Sequence, residues 1–436
     1  MSGTLPFVLY VVFIASWFLH LPARFEFLQP LRIDLMLVCV IAVYCWKTER
    51  TEPLPPNDQR TRALVIGIAV YALLSTPLVE WPGSVVKNGL PQFVKAAVFY
   101  YFTATLVGST RRLKILLVVF VACETFRVLE PVYLHLTEGY WGSRASMSNW
   151  ESMDRLSGSP FDTVNPNGLA GIVLTVVPFL HYLTLRSKWG RFVYILTLPP
   201  LLYALALTGS RSGMIGLASI LLLVWVKSRH KILLAATIAI AVASAIPYLT
   251  DDLADRYLSI FSSQTRNAQT ASDRSHFMEA DLQVALRRPI FGHGLGTSPE
   301  ANGAFQGDER PAHNLYIEVG QELGLVGLLI FLAFMVSLCR GLFDAARVIR
   351  QSEGAPPIVA SLMAAVQVWT GMNLIFSFAS YGLCSYEWYF AAGLIEVARR
   401  LRTEQTSAVA VTGTQPVRMT QFRPRPPLRP APVEFR

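Results

Sequence analysis

Residues 311–339 read PAHNLYIEVGQELGLVGLLIFLAFMVSLC, a short polar entry closing on His313 and Asn314 and then a run long and apolar enough to cross a bilayer as one helix. Comparable apolar runs recur at about 5–23, 32–46, 63–79, 91–109, 113–136, 167–185, 192–208, 212–226, 232–248, 357–379 and 385–398. Hydropathy therefore predicts an all-α polytopic membrane protein of about twelve spans. Composition agrees. The chain is 53% hydrophobic and 15% charged, with a mean hydropathy of +0.41 over 436 residues, too apolar for an ordinary soluble domain.

Basic residues set the expected orientation, because short loops rich in Lys and Arg stay on the cytoplasmic side. The clusters Lys47/Arg50/Arg60/Arg62, Arg111/Arg112/Lys114, Arg186/Lys188/Arg191, Lys227/Arg229/Lys231, Arg340/Arg347/Arg350 and Arg399/Arg400/Arg402 all fall on one side if about twelve spans alternate. Both termini are then cytoplasmic. The chain divides into helices one to nine over 1–248, a long outer loop over 249–312, helices ten to twelve over 313–402, and a Pro- and Arg-rich tail over 403–436. That tail reads as disordered, polyproline-II-like chain. The net charge of +9 follows from the basic inner loops facing an anionic leaflet, so nucleic acid is not the expected partner. The cysteines lie in or beside predicted spans and imply neither a disulfide framework nor a metal site.

The 249–312 loop holds six arginines (Arg256, Arg266, Arg274, Arg287, Arg288 and Arg310) and no lysine. A planar guanidinium grips phosphate oxygens bidentately where an ammonium is a point charge, so the loop suits a phosphorylated lipid. It then delivers His313, the side chain best suited to move a proton near neutral pH, to the mouth of the tenth span. One surface-lying helix is readable in the loop, capped by Ser272 or Asp273, apolar at Met278, Leu282, Ala285 and Leu286, and stopped by Pro289. Arg274 shares the face of Met278. Asp251, Asp252 and Asp255 read as the start of a short helix rather than a metal site.

Arg211 sits in Thr208-Gly209-Ser210-Arg211-Ser212-Gly213 at the outer end of the seventh span. Small neighbours there leave room for a head group and expose backbone N–H groups at a helix start. Lys95, near the outer end of the fourth span, either snorkels or reaches a phosphate. Asn314 and Arg310 are further possible contacts. Glu124 and Arg127, spaced i, i+3 in the fifth span, are expected to pair with each other. Gly324 and Gly327 are expected to allow close helix packing. The Gly292-His293-Gly294-Leu295-Gly296 turn follows a helix rather than a strand, which argues against nucleotide binding.

Several of these elements, in this order, resemble the O-antigen ligase family, whose core is shared with O-antigen polymerases and protein O-oligosaccharyltransferases. They are Asn165-Pro166-Asn167-Gly168-Leu169-Ala170, Gly-Ser-Arg211-Ser-Gly, the Arg274 helix leading into Pro-Ile-Phe-Gly-His-Gly-Leu-Gly, and His313-Asn314 followed by Glu-Leu-Gly324-Leu-Val-Gly327. Together they cover roughly residues 160–335. The resemblance implies a metal-independent, inverting glycosyltransferase of the bacterial inner membrane that needs no cofactor. It would move a glycan from undecaprenyl diphosphate to a periplasmic acceptor, lipid A-core in the ligases. The family's histidine maps onto His313 and its arginines onto Arg211 and Arg274, with Arg266 a further candidate for the diphosphate. In the ligase pattern a polar residue stands two places after the histidine, whereas here Asn314 follows directly, which leaves the polymerase open. A transporter or flippase for the same lipid is a rival of another class. Against it, the charged candidates gather at the outer side rather than mid-membrane, and no internal repeat is visible.

Overall fold

The computed structural model describes residues 4–47, 54–142, 154–236, 239, 250–259, 269–352, 354–380 and 382–412. Arg266, most of the predicted 232–248 run and the tail from 413 lie outside these residues. Among the described residues all regular structure is helical. The principal helices are α1 (Thr4–Leu19), α2 (Ile33–Lys47), α3 (Pro56–Ser75), α4 (Leu90–Leu106), α5 (Thr110–Glu138), α6 (Pro166–Thr184), α7 (Lys188–Leu207) and α8 (Arg211–Lys227). There follow α9 (Asp251–Leu258), α10 (Gln269–Arg287), α11 (Ser298–Gln306), α12 (Leu315–Gln351), α13 (Pro357–Phe376) and α14 (Tyr386–Thr412).

Among the described residues five helical stretches are long and apolar enough to cross a membrane: Pro56–Leu78, α6, α7, α12 and α13. A helix also occupies each of the other predicted apolar runs, and of 232–248 the described residues 232–236 and 239 are helical. The last helix continues through Thr412, past Arg402, where the sequence places the start of the tail.

Short polar turns start these helices. Ser109, Asn165, Ser187 and Ser210 each accept a hydrogen bond from the backbone N–H three residues on, at 3.3, 2.8, 2.9 and 3.1 Å, satisfying a donor that the helix cannot. Pro166 follows the Asn165 cap, where its missing N–H costs nothing.

Side-chain bonds sort the connections onto two ends of the bundle. At one end Arg399 pairs with Asp58, Arg400 donates to Ala104 O and Val107 O at 2.8 and 2.7 Å, and Arg186 donates to Pro357 O at 3.0 Å. At the other, Arg24 pairs with Glu130, Arg155 donates to Thr208 O, Leu315 N–H donates to Ser377 O, and His293 meets Glu80. His313 and Arg211 belong to this second end, opposite the arginines of α14.

Near it, α5 carries a buried polar network. Arg127 meets Glu124 at 3.0 Å, as its spacing predicts, and also Asp162 at 2.7 Å. Tyr386 donates to Glu124 at 2.5 Å. His20 lies 3.3 Å from Asp162. Burial alone would raise the Asp162 carboxyl, but His20 and Arg127 outweigh it and hold that group well below the usual carboxylate range.

Helix α12 is broken at Gly324, whose φ of 64° and ψ of −168° are not helical. The break frees carbonyls that the glycine turn then takes up. His293 N–H donates to Gln321 O at 2.7 Å and Gly294 N–H to Glu322 O at 2.9 Å, while Leu325 N–H donates to Pro289 O at 2.7 Å. Tyr71 of α3 donates to Leu323 O at 2.9 Å. Close packing is the role of both glycines: a Cβ on Gly327 would lie 3.1 Å from the Tyr71 ring and one on Gly324 2.3 Å from Ile290 O, and Gly324 in addition supplies a conformation that other residues rarely adopt.

The predicted loop helix exists as α10 (Gln269–Arg287), and its apolar positions divide between the bundle and the outside. Leu282 and Leu286 are 48% and 64% exposed, while Asp281, Val284 and Ala285 are buried. The inward choice follows the charge on Asp281, whose partners lie beneath the helix.

Candidate active site

Two polar clusters occupy the His313 end of the bundle. The first surrounds the Thr208–Ser210 turn between α7 and α8. Arg155, Arg211 and Arg256 converge here and are only 4%, 7% and 3% exposed. Arg155 Nε donates to Thr208 O at 2.7 Å and Arg256 Nε to Gly209 O at 2.7 Å. These guanidinium groups therefore satisfy carbonyls left over at the C-terminus of α7, where positive charge is favoured by the helix dipole. Arg155 Nη2 and Ser210 Oγ both donate to Asn167 Oδ1, at 2.9 and 2.8 Å. Arg211, the first residue of α8, donates to Ser259 Oγ at 3.1 Å.

Gly209 makes this convergence possible: its φ is +54°, and a Cβ there would lie 3.2 Å from Arg256 Cδ. Burial pushes the neighbouring Tyr257 hydroxyl up to about 12, against the pull of Arg155 and Arg256. The start of α8, with its N–H groups and dipole, adds to the positive field of the three guanidiniums. Such a concentration of positive charge is suited to an anion bearing several oxygens.

The second cluster holds His313. It is half-buried and stands immediately before Asn314, the cap of α12. Asn314 spends both ends of its amide on structure, accepting from Tyr316 N–H and Ile317 N–H at 3.0 and 3.2 Å and donating to Phe378 O at 3.2 Å. The His313 backbone N–H donates to the Asp281 carboxylate. Arg310 pairs with the same carboxylate at 2.9 Å, donates to Gln306 Oε1 at 2.7 Å and lies over the Phe277 ring at 4.2 Å. Burial pushes the Asp281 carboxyl up, with Arg310 and the His313 N–H opposing. Gln321 Nε2 donates to Asp281 O at 2.9 Å and to Asn302 Oδ1 at 3.0 Å, tying α10 and α11 to α12. Asp281 is thus the anchor that sets the backbone position of His313, and Arg310 is committed to that anchor.

Arg274 lies within α10, its side chain outside the described residues, as Arg266 is altogether. Lys95 joins neither cluster; it lines a separate cavity with Trp17 and Asp34. The glycine turn is structural. His293 is fully buried, with Nδ1 2.9 Å from Glu80 Oε2 and Nε2 3.0 Å from Val284 O. The Glu322 carboxylate accepts from Gly296 N–H and Ser298 N–H at 2.8 and 3.3 Å, fixing the end of the turn and the start of α11.

Sequence reasoning passed over Arg155, Asn167 and Asp281 as parts of these clusters. Asn167 lay inside a motif already singled out, and Asp281 was visible only as one of the acidic residues of the loop. Arg155 carried no local signal.

No curated protein matches the chain. Residues 192–332 match the family model described as O-antigen ligase, a group of glycosyltransferase-like enzymes, and this stretch contains Arg211, Arg256, Arg274, Asp281, Arg310 and His313. Over residues 192–332 the chain is thus similar to the O-antigen ligase family, in agreement with the motifs it carries there.

Proposed function

We propose that this protein is an O-antigen ligase of the bacterial inner membrane, transferring a glycan from undecaprenyl diphosphate to a lipid A-core acceptor on the periplasmic face. In this reading α1 to α8, the 232–248 run and α12 to α14 are the twelve spans, with both termini cytoplasmic and the 249–312 loop periplasmic. The observation that carries it is the family match over a stretch in which His313 and Arg211 stand at one end of the bundle, opposite the basic residues of α14.

Arg211 and Arg274, with Arg266, bind the diphosphate. They neutralise charge that builds on the leaving group as the bond to the anomeric carbon breaks, the electrostatic effect that usually dominates such steps. His313 takes the proton from the acceptor hydroxyl as that oxygen attacks the anomeric carbon from the opposite side, which inverts it. Asp281 keeps the imidazole in place by holding the His313 backbone N–H. The donor is already activated, so the transfer needs no nucleotide. Neither cluster calls for a metal ion, since guanidinium groups supply the positive charge.

A deletion strain tests the assignment. Loss of long glycans from lipopolysaccharide, with polymer accumulating on its lipid carrier and restored by the wild-type gene, supports the ligase. Lipopolysaccharide capped by single repeats indicates the polymerase, and a purified protein that moves the lipid-linked glycan along a gradient without joining it to an acceptor indicates a transporter.

A further inference from the structure

A cavity of about 300 Å³ lies between α1, α2 and α4, at the same end of the bundle as His313 but lined by neither of its clusters. Phe13, Trp17, Val38 and Val94 give it an apolar wall, and Val94 at its rim is exposed, so the groove opens sideways from the helices. Most of the wall offers water no hydrogen-bond partner, so the groove favours an apolar occupant. In a bilayer the available filler is a hydrocarbon chain.

Two charges stand on the same wall. Asp34, in the first turn of α2, accepts from Ser16 Oγ at 2.6 Å. Lys95 lies about 7 Å along α4 from its first residue, at 1.5 Å per residue. Its Nζ is 6.0 Å from the centre of the Trp17 ring, and among the described residues no carboxylate lies within 4 Å of it. An ammonium and a carboxylate left apart on one apolar groove match a ligand that carries both signs on one head and a hydrocarbon chain below. A singly anionic head would satisfy Lys95 and be repelled by Asp34.

We propose that the groove between α1, α2 and α4 binds an ethanolamine phospholipid, with its phosphate on Lys95, its primary ammonium on Asp34 and one acyl chain along Trp17, Val38 and Val94. The site is independent of the glycan-transfer reading.

The full-length protein in nanodiscs of equal parts phosphatidylethanolamine, phosphatidylglycerol and phosphatidylcholine is released for native mass spectrometry, and the retained lipid is identified. Phosphatidylethanolamine is expected in excess. Lys95→Ala and Asp34→Asn should each lower its retention about tenfold, the loss of one charge-assisted contact. Lys95→Arg should preserve it, and Val94→Trp should remove it by filling the groove. Asp34→Asn and Val94→Trp decide the matter if Lys95→Ala does not fold, with monodisperse elution as the check. Retention that follows bilayer composition, retention unchanged in these variants, preference for phosphatidylglycerol, or displacement by added polyprenyl phosphate would each overturn the proposal.

Discussion

Gly292 and Gly324 meet backbone to backbone: a Cβ built on Gly324 would lie 2.7 Å from Gly292 N, and one on Gly292 would lie 2.6 Å from Gly324 N. Both have positive φ, at 72° and 64°. Their junction seats the glycine turn in the break of α12, with Gly296 pressed on Gly89 at the turn's other end, where a Cβ would lie 2.7 Å from Gly89 Cα.

Gly324→Ala and Gly292→Ala should each destabilise the protein by at least about 2 kcal/mol, combining left-handed backbone strain with a clash against main chain that cannot move aside. Gly320→Ala is the control. A Cβ there meets nothing within 4 Å, and alanine is the better helix former, so its melting temperature in detergent should hold or rise.

Arg127→Ala removes the shared partner of two buried carboxylates. The loss should be about 3–5 kcal/mol, because Glu124 and Asp162 would stay in place uncompensated. Arg127→Met with Glu124→Gln and Asp162→Asn should recover part of it, measured as thermal stability of the triple variant against the single one.

Acid should weaken the same network. The Asp162 carboxyl is depressed in the folded protein, so its contribution is complete above the ordinary aspartate value near 4 and disappears as pH falls below it toward the folded value. Melting temperatures taken from pH 7 down to about pH 3 should show this fall, and Asp162→Asn should flatten it.

His313→Ala, with the protein still in the membrane, should lower glycan transfer by about 100- to 10,000-fold, the usual contribution of a positioned base. Asp281→Asn should act more mildly. It keeps the hydrogen-bonding shape around His313 N–H but loses the charge facing Arg310, so kcat should drop with the KM for donor little changed. A larger rise in KM than fall in kcat would assign Asp281 to donor binding instead.

Arg211→Lys should impair transfer nearly as much as Arg211→Ala, because an ammonium cannot reproduce the fork that grips phosphate oxygens. Dependence of the rate on donor concentration checks this, and full activity in Arg211→Lys would remove Arg211 from the diphosphate site.

The helices were legible because apolar runs and their Ser or Asn caps are local signals. Ser109, Asn165, Ser187 and Ser210 stand where the chain turns, and each caps the helix that follows. The Glu124–Arg127 pair was legible for the same reason, being one turn apart on one helix. What stayed hidden depends on contacts between distant segments. Asp162 completes that pair from 35 residues away, and Asp281 reaches its partners 29 or more residues downstream. Gly324 was legible as a packing glycine but not as a helix break, which only the carbonyls taken by His293 and Gly294 disclose. The burial of Asp281 in α10 was not legible, because the Arg310 that pairs with it stands beyond the next helix.

The seat of the glycine turn also constrains the order of assembly. Gly89 and Glu80 belong to the first quarter of the chain, and their counterparts at 292–296 find a place only against a break at residue 324. During synthesis, then, the ends of α3 and α4 must wait uncovered until most of the polypeptide has been inserted, and a product truncated before α12 would expose that unfinished seam to quality-control proteases.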